Sequence, residues 1–178
     1  TYEMTMVERN SRVLLRLINQ ILDLSKLEEG KMSTFYVKGN IIALLKRVTE
    51  PFEDYASLNN KNLTFSSSIT ELEMDYDKQK LEDIVVNLIS NALKFTRGGD
   101  SIQVLVDKVG SQLSVTIKDK GIGIAKEDLP FLFDRYRQIE SNLAETTIKG
   151  TGIGLSLVQQ LVLLLEGEIK VESELGIG

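Results

Sequence analysis

Asn87, Asn91 and Lys94 are the residues whose types and spacing first suggest chemistry. They lie in Asn87-Leu-Ile-Ser-Asn91-Ala-Leu-Lys94-Phe-Thr96, where Leu81, Ile84, Val85, Leu88, Ile89, Ala92 and Phe95 recur at three- and four-residue steps. That period predicts a helix. Two asparagines four residues apart share one face of it, and Lys94 follows close to the same face. Asparagine is a mediocre helix former that prefers caps, so two of them mid-helix suggest a task. An amide oxygen is a hard ligand that can complete the shell of a hydrated Mg²⁺, and lysine can meet phosphate. On these residues alone, a solvated polar face is the plainer alternative.

Two glycine clusters follow. The first is Asp119-Lys-Gly121-Ile-Gly123-Ile124, after Leu113, Val115 and Ile117 alternate with Ser114, Thr116 and Lys118. The alternation predicts a half-buried strand. The second is Gly150-Thr151-Gly152-Ile-Gly154-Leu155, leading into residues 153–166, which read as a helix. One glycine loop thus ends a strand and the other opens a helix. Glycine lets backbone approach a ligand closely, and a helix start offers free amides and a positive dipole end to phosphate. Each cluster alone is more often a turn than a nucleotide site. Neither spells a P-loop or a dinucleotide fingerprint.

Taken together and in order, these motifs resemble those of sensor histidine kinases. Asn87 to Thr96 is similar to their N box, Asp119-x-Gly121-x-Gly123 to the G1 box, Phe133-Asp-Arg-Tyr136 to the F box, and Gly150 to Leu155 to the G2 box. The resemblance spans essentially the whole chain. It implies an α+β fold: a two-layer α/β sandwich of the Bergerat ATP-binding type, with a mixed sheet, helices on one face and one long helix in front. It implies ATP and Mg²⁺ as cofactors. Asp119 would read the adenine amino group, and Gly121, Gly123 and Ile124 would let base and ribose approach. Asn91, with Asn87 beside it, would hold Mg²⁺, and Lys94 would meet phosphate. Gly150, Thr151, Gly152, Gly154 and Leu155 would form the loop around the triphosphate, with amides from Gly152 and Gly154. Phe133 and Tyr136 would pack the lid, and Arg135, Arg137 and Lys149 are candidate phosphate contacts. The chain departs from the family at Lys120, often asparagine there, and at Leu165-Glu166-Gly167 in place of His-Gly-Gly.

Other segments must position these motifs. Glu3 to Glu29 reads as one long helix with an apolar stripe at Leu14, Leu17, Ile18, Ile21, Leu22 and Leu24, stopped by Gly30. It packs either on its own domain or against a partner helix. By resemblance it is the second helix of a dimerisation hairpin. Residues 1–31 would then be that helix, its histidine-bearing partner absent, and residues 32–178 the catalytic domain, truncated near a third glycine motif. Phe35 to Val37 is β-prone, and Asn40 is a candidate cap for a helix beginning at Ile41. Pro51 marks a kink or boundary in that helix, whereas the resemblance favours continuation towards Leu58. Leu63 to Ile69 and Lys170 to Glu174 read as strands. Ile102 to Val106 and Leu113 to Ile117 form a hairpin turning at Gly110. Asp77 is a candidate cap for the helix of Asn87, and Pro130 to Phe133 reads as a helical turn. Arg137 to Lys149 is polar, without period, and suits a lid.

The 178 residues suffice for one domain and an extra element. A net charge of −5 with no basic stripe argues against a nucleic-acid partner. There is no cysteine, hence no disulfide or thiolate metal site, and no histidine, hence no histidine catalysis or ligation within the chain. No apolar run is long enough for a membrane helix. By resemblance, the partners are a phosphoacceptor-histidine helix of the same or a partner subunit, a response-regulator receiver domain, and a second copy forming a homodimer through the N-terminal helix; the location is cytoplasmic. Two alternatives stand beside the kinase: a hydrolysing ATPase of the gyrase, mismatch-repair or chaperone kind, and a nucleotide-binding module without catalysis. The hydrolysing relatives carry glutamate where this chain has Asn87. An amide cannot serve as general base at neutral pH.

Overall fold

The computed structural model describes residues 14–15, 18–137 and 151–178. The start of the expected long helix, nearly all of the expected lid, Lys149 and Gly150 lie outside the described residues.

The first helix, α1, includes residues 14–15 and 18–28 and ends in a turn. Gly30 has φ 63 there, and the Lys31 N–H reaches the Lys26 carbonyl at 2.8 Å, closing the last turn as a glycine stop should. There follow β1 (Tyr36–Asn40), α2 (Ile41–Leu58), β2 (Asn62–Ser67), β3 (Glu73–Asp77), α3 (Lys78–Phe95), β4 (Ser101–Val109), β5 (Gln112–Asp119), a 3-10 turn (Leu129–Phe131) and α4 (Gly154–Leu164).

The strands form a β1–β3 antiparallel pair and a three-stranded sheet ordered β2-β4-β5. Because β2 runs parallel to β4 and β4 antiparallel to β5, this sheet is mixed, as expected. Along β4, Ile102, Val104 and Val106 are fully buried and alternate with outward residues. They meet Ile41, Leu45, Val85, Ile89 and Leu93 from α2 and α3 in one core. Each such side chain contributes about 1.5–3 kcal/mol of burial.

Local chemistry explains most boundaries. Asn40 Oδ1 accepts from the amides of Ile42 at 3.1 Å and Leu72 at 3.3 Å, capping α2 and pinning the approach to β3. The helix runs through Pro51 without ending. Thr49 and Ala56, buried on either side, hold both halves on the core and outweigh the missing hydrogen bond. Gly110, at φ 63, turns the β4–β5 hairpin.

Two elements differ from expectation. Strand β3 was not foreseen. Its acidic residues disfavour strands, yet Met74 and Tyr76 turn towards the core and β1 supplies the pairing. Lys170 to Glu174 is not a strand. Its polar groups are used otherwise: Ser173 Oγ accepts from the Ile124 N–H of the first glycine loop at 2.9 Å, and the Glu174 N–H closes a turn onto the Gly178 carbonyl at 2.9 Å.

A second apolar cluster joins Leu24 of α1 to Ile84 of α3 and to Ile153, Leu157, Val158 and Leu161 around α4. So α1 packs on its own domain through Leu24, while Leu14, Leu15, Ile18, Ile21 and Leu22 stay exposed. Among the described residues, no helix is long and apolar enough to cross a membrane.

Candidate functional site

Helix α3 is the spine of the site. Asp77 caps it: Oδ1 accepts from the Lys80 N–H at 3.1 Å, and Oδ2 accepts from Lys80 Nζ at 2.7 Å and the Phe35 N–H at 2.8 Å. Lys80 Nζ also donates to the Ser33 carbonyl at 2.7 Å. This buried ion pair therefore fastens the segment between α1 and β1 to the start of α3. Burial acts to raise the Asp77 pKa, but the bonds from Lys80 and Phe35 outweigh it and hold the carboxyl below its ordinary value.

The first glycine loop is attached to the other end of α3. The Ile122 N–H donates to the Phe95 carbonyl at 3.2 Å, and a Cβ on Gly121 would lie 2.7 Å from that oxygen. Only glycine fits there. Asp119, at the end of β5, accepts from the Gly121 N–H through Oδ1 at 2.8 Å, a side-chain turn that fixes the carboxylate at the loop mouth. Its other oxygen has no donor among the described residues. Gly123 has φ 64, and a Cβ there would collide with the Glu174 carbonyl.

The second glycine loop abuts the middle of α3. Gly154, the first residue of α4, lies so near Asn87 that a Cβ on it would stand 3.0 Å from Asn87 Oδ1. Among the described residues no side chain caps α4, which leaves first-turn amides for a ligand. Thr151 Oγ1 accepts from the Ile153 N–H at 3.3 Å, and the Tyr136 N–H reaches the Gly152 carbonyl at 2.9 Å. The loops thus meet α3 at Asn87 and Phe95, eight residues and about 12 Å apart along the axis.

Between them stand Asn91 and Lys94. Asn91 is half-buried, and among the described residues its amide has no hydrogen-bond partner. Lys94 is half-buried too, and desolvation lowers the pKa of its ammonium. Its Nζ lies 4.7 Å from the Phe95 ring centre. Among the described residues no group of three histidines, cysteines or carboxylates could hold a metal alone. The oxygens on offer between the loops are those of the Asn87 and Asn91 amides, which would need water and phosphate to complete a metal's shell. That set fits Mg²⁺ arriving with a nucleotide.

Other expected residues lie elsewhere. Arg137 sits 4.0 Å from the Phe131 ring centre and pairs with Asp128 at 3.5 Å, and Arg135 pairs with Glu28 of α1. Phe133 is half-buried, but Tyr136 is 66% exposed with φ 61, held by its backbone rather than by ring packing. Leu155 is half-buried beside Gly154. Three residues escaped the sequence reading. Lys80 carried no signal beyond helix position, Thr96 Oγ1 is buried with no partner among the described residues, and Gln20 Nε2 donates to Asn87 Oδ1 at 3.3 Å.

Comparison with known proteins places the chain in a family. Residues 76–178 match the family described as Histidine kinase-, DNA gyrase B-, and HSP90-like ATPase. Histidine protein kinase DivJ of Caulobacter vibrioides is 38% identical over 93% of this chain and 27% of its own length. The full-length ShkA structure in complex with AMPPNP superposes with a TM-score of 0.84 at 23% identity, over 97% of this chain and 35% of that one. Histidine kinase ThkA in complex with the response regulator protein TrrA gives a TM-score of 0.66 at 18% identity, over 88% of this chain and 43% of that one. The chain spans 12% to 27% of the length of the first curated relatives it matches. The chain belongs to the histidine kinase-, DNA gyrase B- and HSP90-like ATPase family, and its likeness there is to the catalytic ATP-binding domain of sensor histidine kinases.

Proposed function

We propose that this domain binds Mg²⁺–ATP between α3 and α4 and donates the γ-phosphoryl group to a histidine on another helix, for onward transfer to an aspartate of a response-regulator receiver domain. The observation that carries the reading is the placement of the N-box helix against both glycine loops, with an amide at Asn87. Asp119 accepts from the adenine amino group with the oxygen not used by Gly121. The first loop lets the base approach, and the α4 amides receive the phosphates. Asn91, with Asn87, supplies oxygen to the metal, which when bound neutralises phosphate charge. Lys94 adds a cation near the same oxygens.

The hydrolase alternative lacks a carboxylate at the position of Asn87. Asn87 cannot take a proton, and Asp83, whose carboxyl pKa burial raises, stands one helical turn before it rather than in its place. The acceptor histidine must come from outside this sequence, which has none. The exposed apolar residues of α1 suit packing against a helix of that kind, in a homodimer. Calorimetric titration with a non-hydrolysable ATP analogue tests the binding step. Binding that requires Mg²⁺ and is lost with Asp119 and Asn91 substitutions supports the reading; absence of binding by the unmodified chain refutes it.

A further inference from the structure

Gln20 and Asn87 are 67 residues apart and belong to different helices, yet their side chains are bonded. Asn87 Nδ2 donates to the Asp83 carbonyl at 2.7 Å, and Asn87 Oδ1 accepts from Gln20 Nε2 at 3.3 Å. A backbone carbonyl can only accept, so the Asp83 bond decides which end of the Asn87 amide is oxygen. Gln20 then grips that oxygen from α1. Turning the amide over would set oxygen against the Asp83 carbonyl and donor against donor at Gln20. A carbonyl oxygen has two lone pairs, so Gln20 occupies one and leaves one.

The same oxygen borders the start of α4, 3.0 Å from where a Gly154 Cβ would be. Gln20 is brought there by Leu24, four residues on along the same helix face and buried among Ile84, Ile153, Leu157 and Leu161. Leu27 adds to that packing, while the ion pair of Glu28 with Arg135 is solvent-exposed and contributes little. The seating of α1 is therefore read out at one amide of the N box.

We propose that Gln20 is a positioning residue: it fixes the Asn87 oxygen beside the α4 N-terminus and so couples the docking of α1 to the loading of metal-bound nucleotide. This rests on the nucleotide reading above. With α1 seated, the amide is pre-oriented and no ordering is needed on binding. With α1 lifted, Asn87 keeps only its bond to Asp83, and the metal-dependent part of the affinity falls.

A double-mutant cycle tests the coupling, with Gln20→Leu, Asn87→Ala and the pair, titrated with a non-hydrolysable ATP analogue in Mg²⁺ and in chelator. Gln20→Leu should weaken binding in Mg²⁺ by roughly three- to tenfold, the scale of one hydrogen bond. It should leave binding in chelator unchanged and have no effect on the Asn87→Ala background. Leu24→Ala, which loosens α1 but also empties space beside Ile153, should weaken binding in Mg²⁺ at least as much as Gln20→Leu. Equal weakening with and without metal, equal weakening on both backgrounds, or unchanged or tighter binding overturns the proposal. If the unmodified chain binds no analogue in either condition, the nucleotide reading falls as well; if it binds and Asn87→Ala weakens it while Gln20→Leu does not, only the coupling falls.

Discussion

Gly154 leaves room for the Asn87 amide: a Cβ on the glycine would stand 3.0 Å from the asparagine oxygen. Gly154→Ala therefore separates binding from folding. Gly154 is the first residue of α4 with an ordinary backbone angle, so the helix itself should tolerate alanine and any stability loss should be small. The added methyl displaces the Asn87 amide, and affinity for an ATP analogue should fall about tenfold. Thermal melting beside calorimetry measures both. Unchanged affinity would remove the start of α4 from the site.

Asp119→Asn tests the adenine contact. Asparagine still accepts from the Gly121 N–H, so the turn survives. A charge-assisted bond to the base is lost, costing roughly 1.5–3 kcal/mol, one to two decades in affinity. Affinity like that of the unmodified chain would leave Asp119 with only its turn-forming role.

The Asp77–Lys80 pair sets an acid limit on stability. The folded-state pKa of Asp77 is lowered, so its contribution is present above the ordinary value of 3.8 and is lost as pH falls from there through the depressed value. Asp77→Ala leaves Lys80 buried without its partner and should cost roughly 3–5 kcal/mol at neutral pH. Urea melts across pH 2–7 would show it. A variant with the same stability and the same acid limb would show the pair to be inert.

Leu24→Ala should free α1 from the domain. The local loss is roughly 2–5 kcal/mol, but it falls on the cluster with α4 rather than on the core over the β2-β4-β5 sheet. Hydrogen exchange should show residues 18–28 losing protection while β4 keeps it. Equal loss in both would mean that α1 is integral to the core.

Much of this was legible in the sequence. The period of Leu81 to Phe95, the alternation of Leu113 to Ile117 and the two glycine clusters fix α3, β5 and the loops, because each is a local pattern. Asn40 and Asp77 were readable as caps for the same reason. β3 was hidden because its strand character comes from pairing with β1, not from its acidic composition. The Lys170 to Glu174 reading failed the other way: the segment meets no strand partner among the described residues, and Ser173 bonds the glycine loop. Gln20 was invisible because its meaning lies in a contact across 67 residues.

The central claim is that the domain transfers phosphate to a histidine it does not itself carry. The direct measurement is a radiolabelled ATP assay on the unmodified chain, alone and with a helical hairpin bearing the acceptor histidine supplied in trans. Alone, the chain should release phosphate very slowly and remain unlabelled, since it has no histidine and no base at Asn87. With the hairpin, acid-labile label should appear on the histidine. Brisk phosphate release by the chain alone, with no label on the supplied helix, would contradict the account and favour a hydrolase.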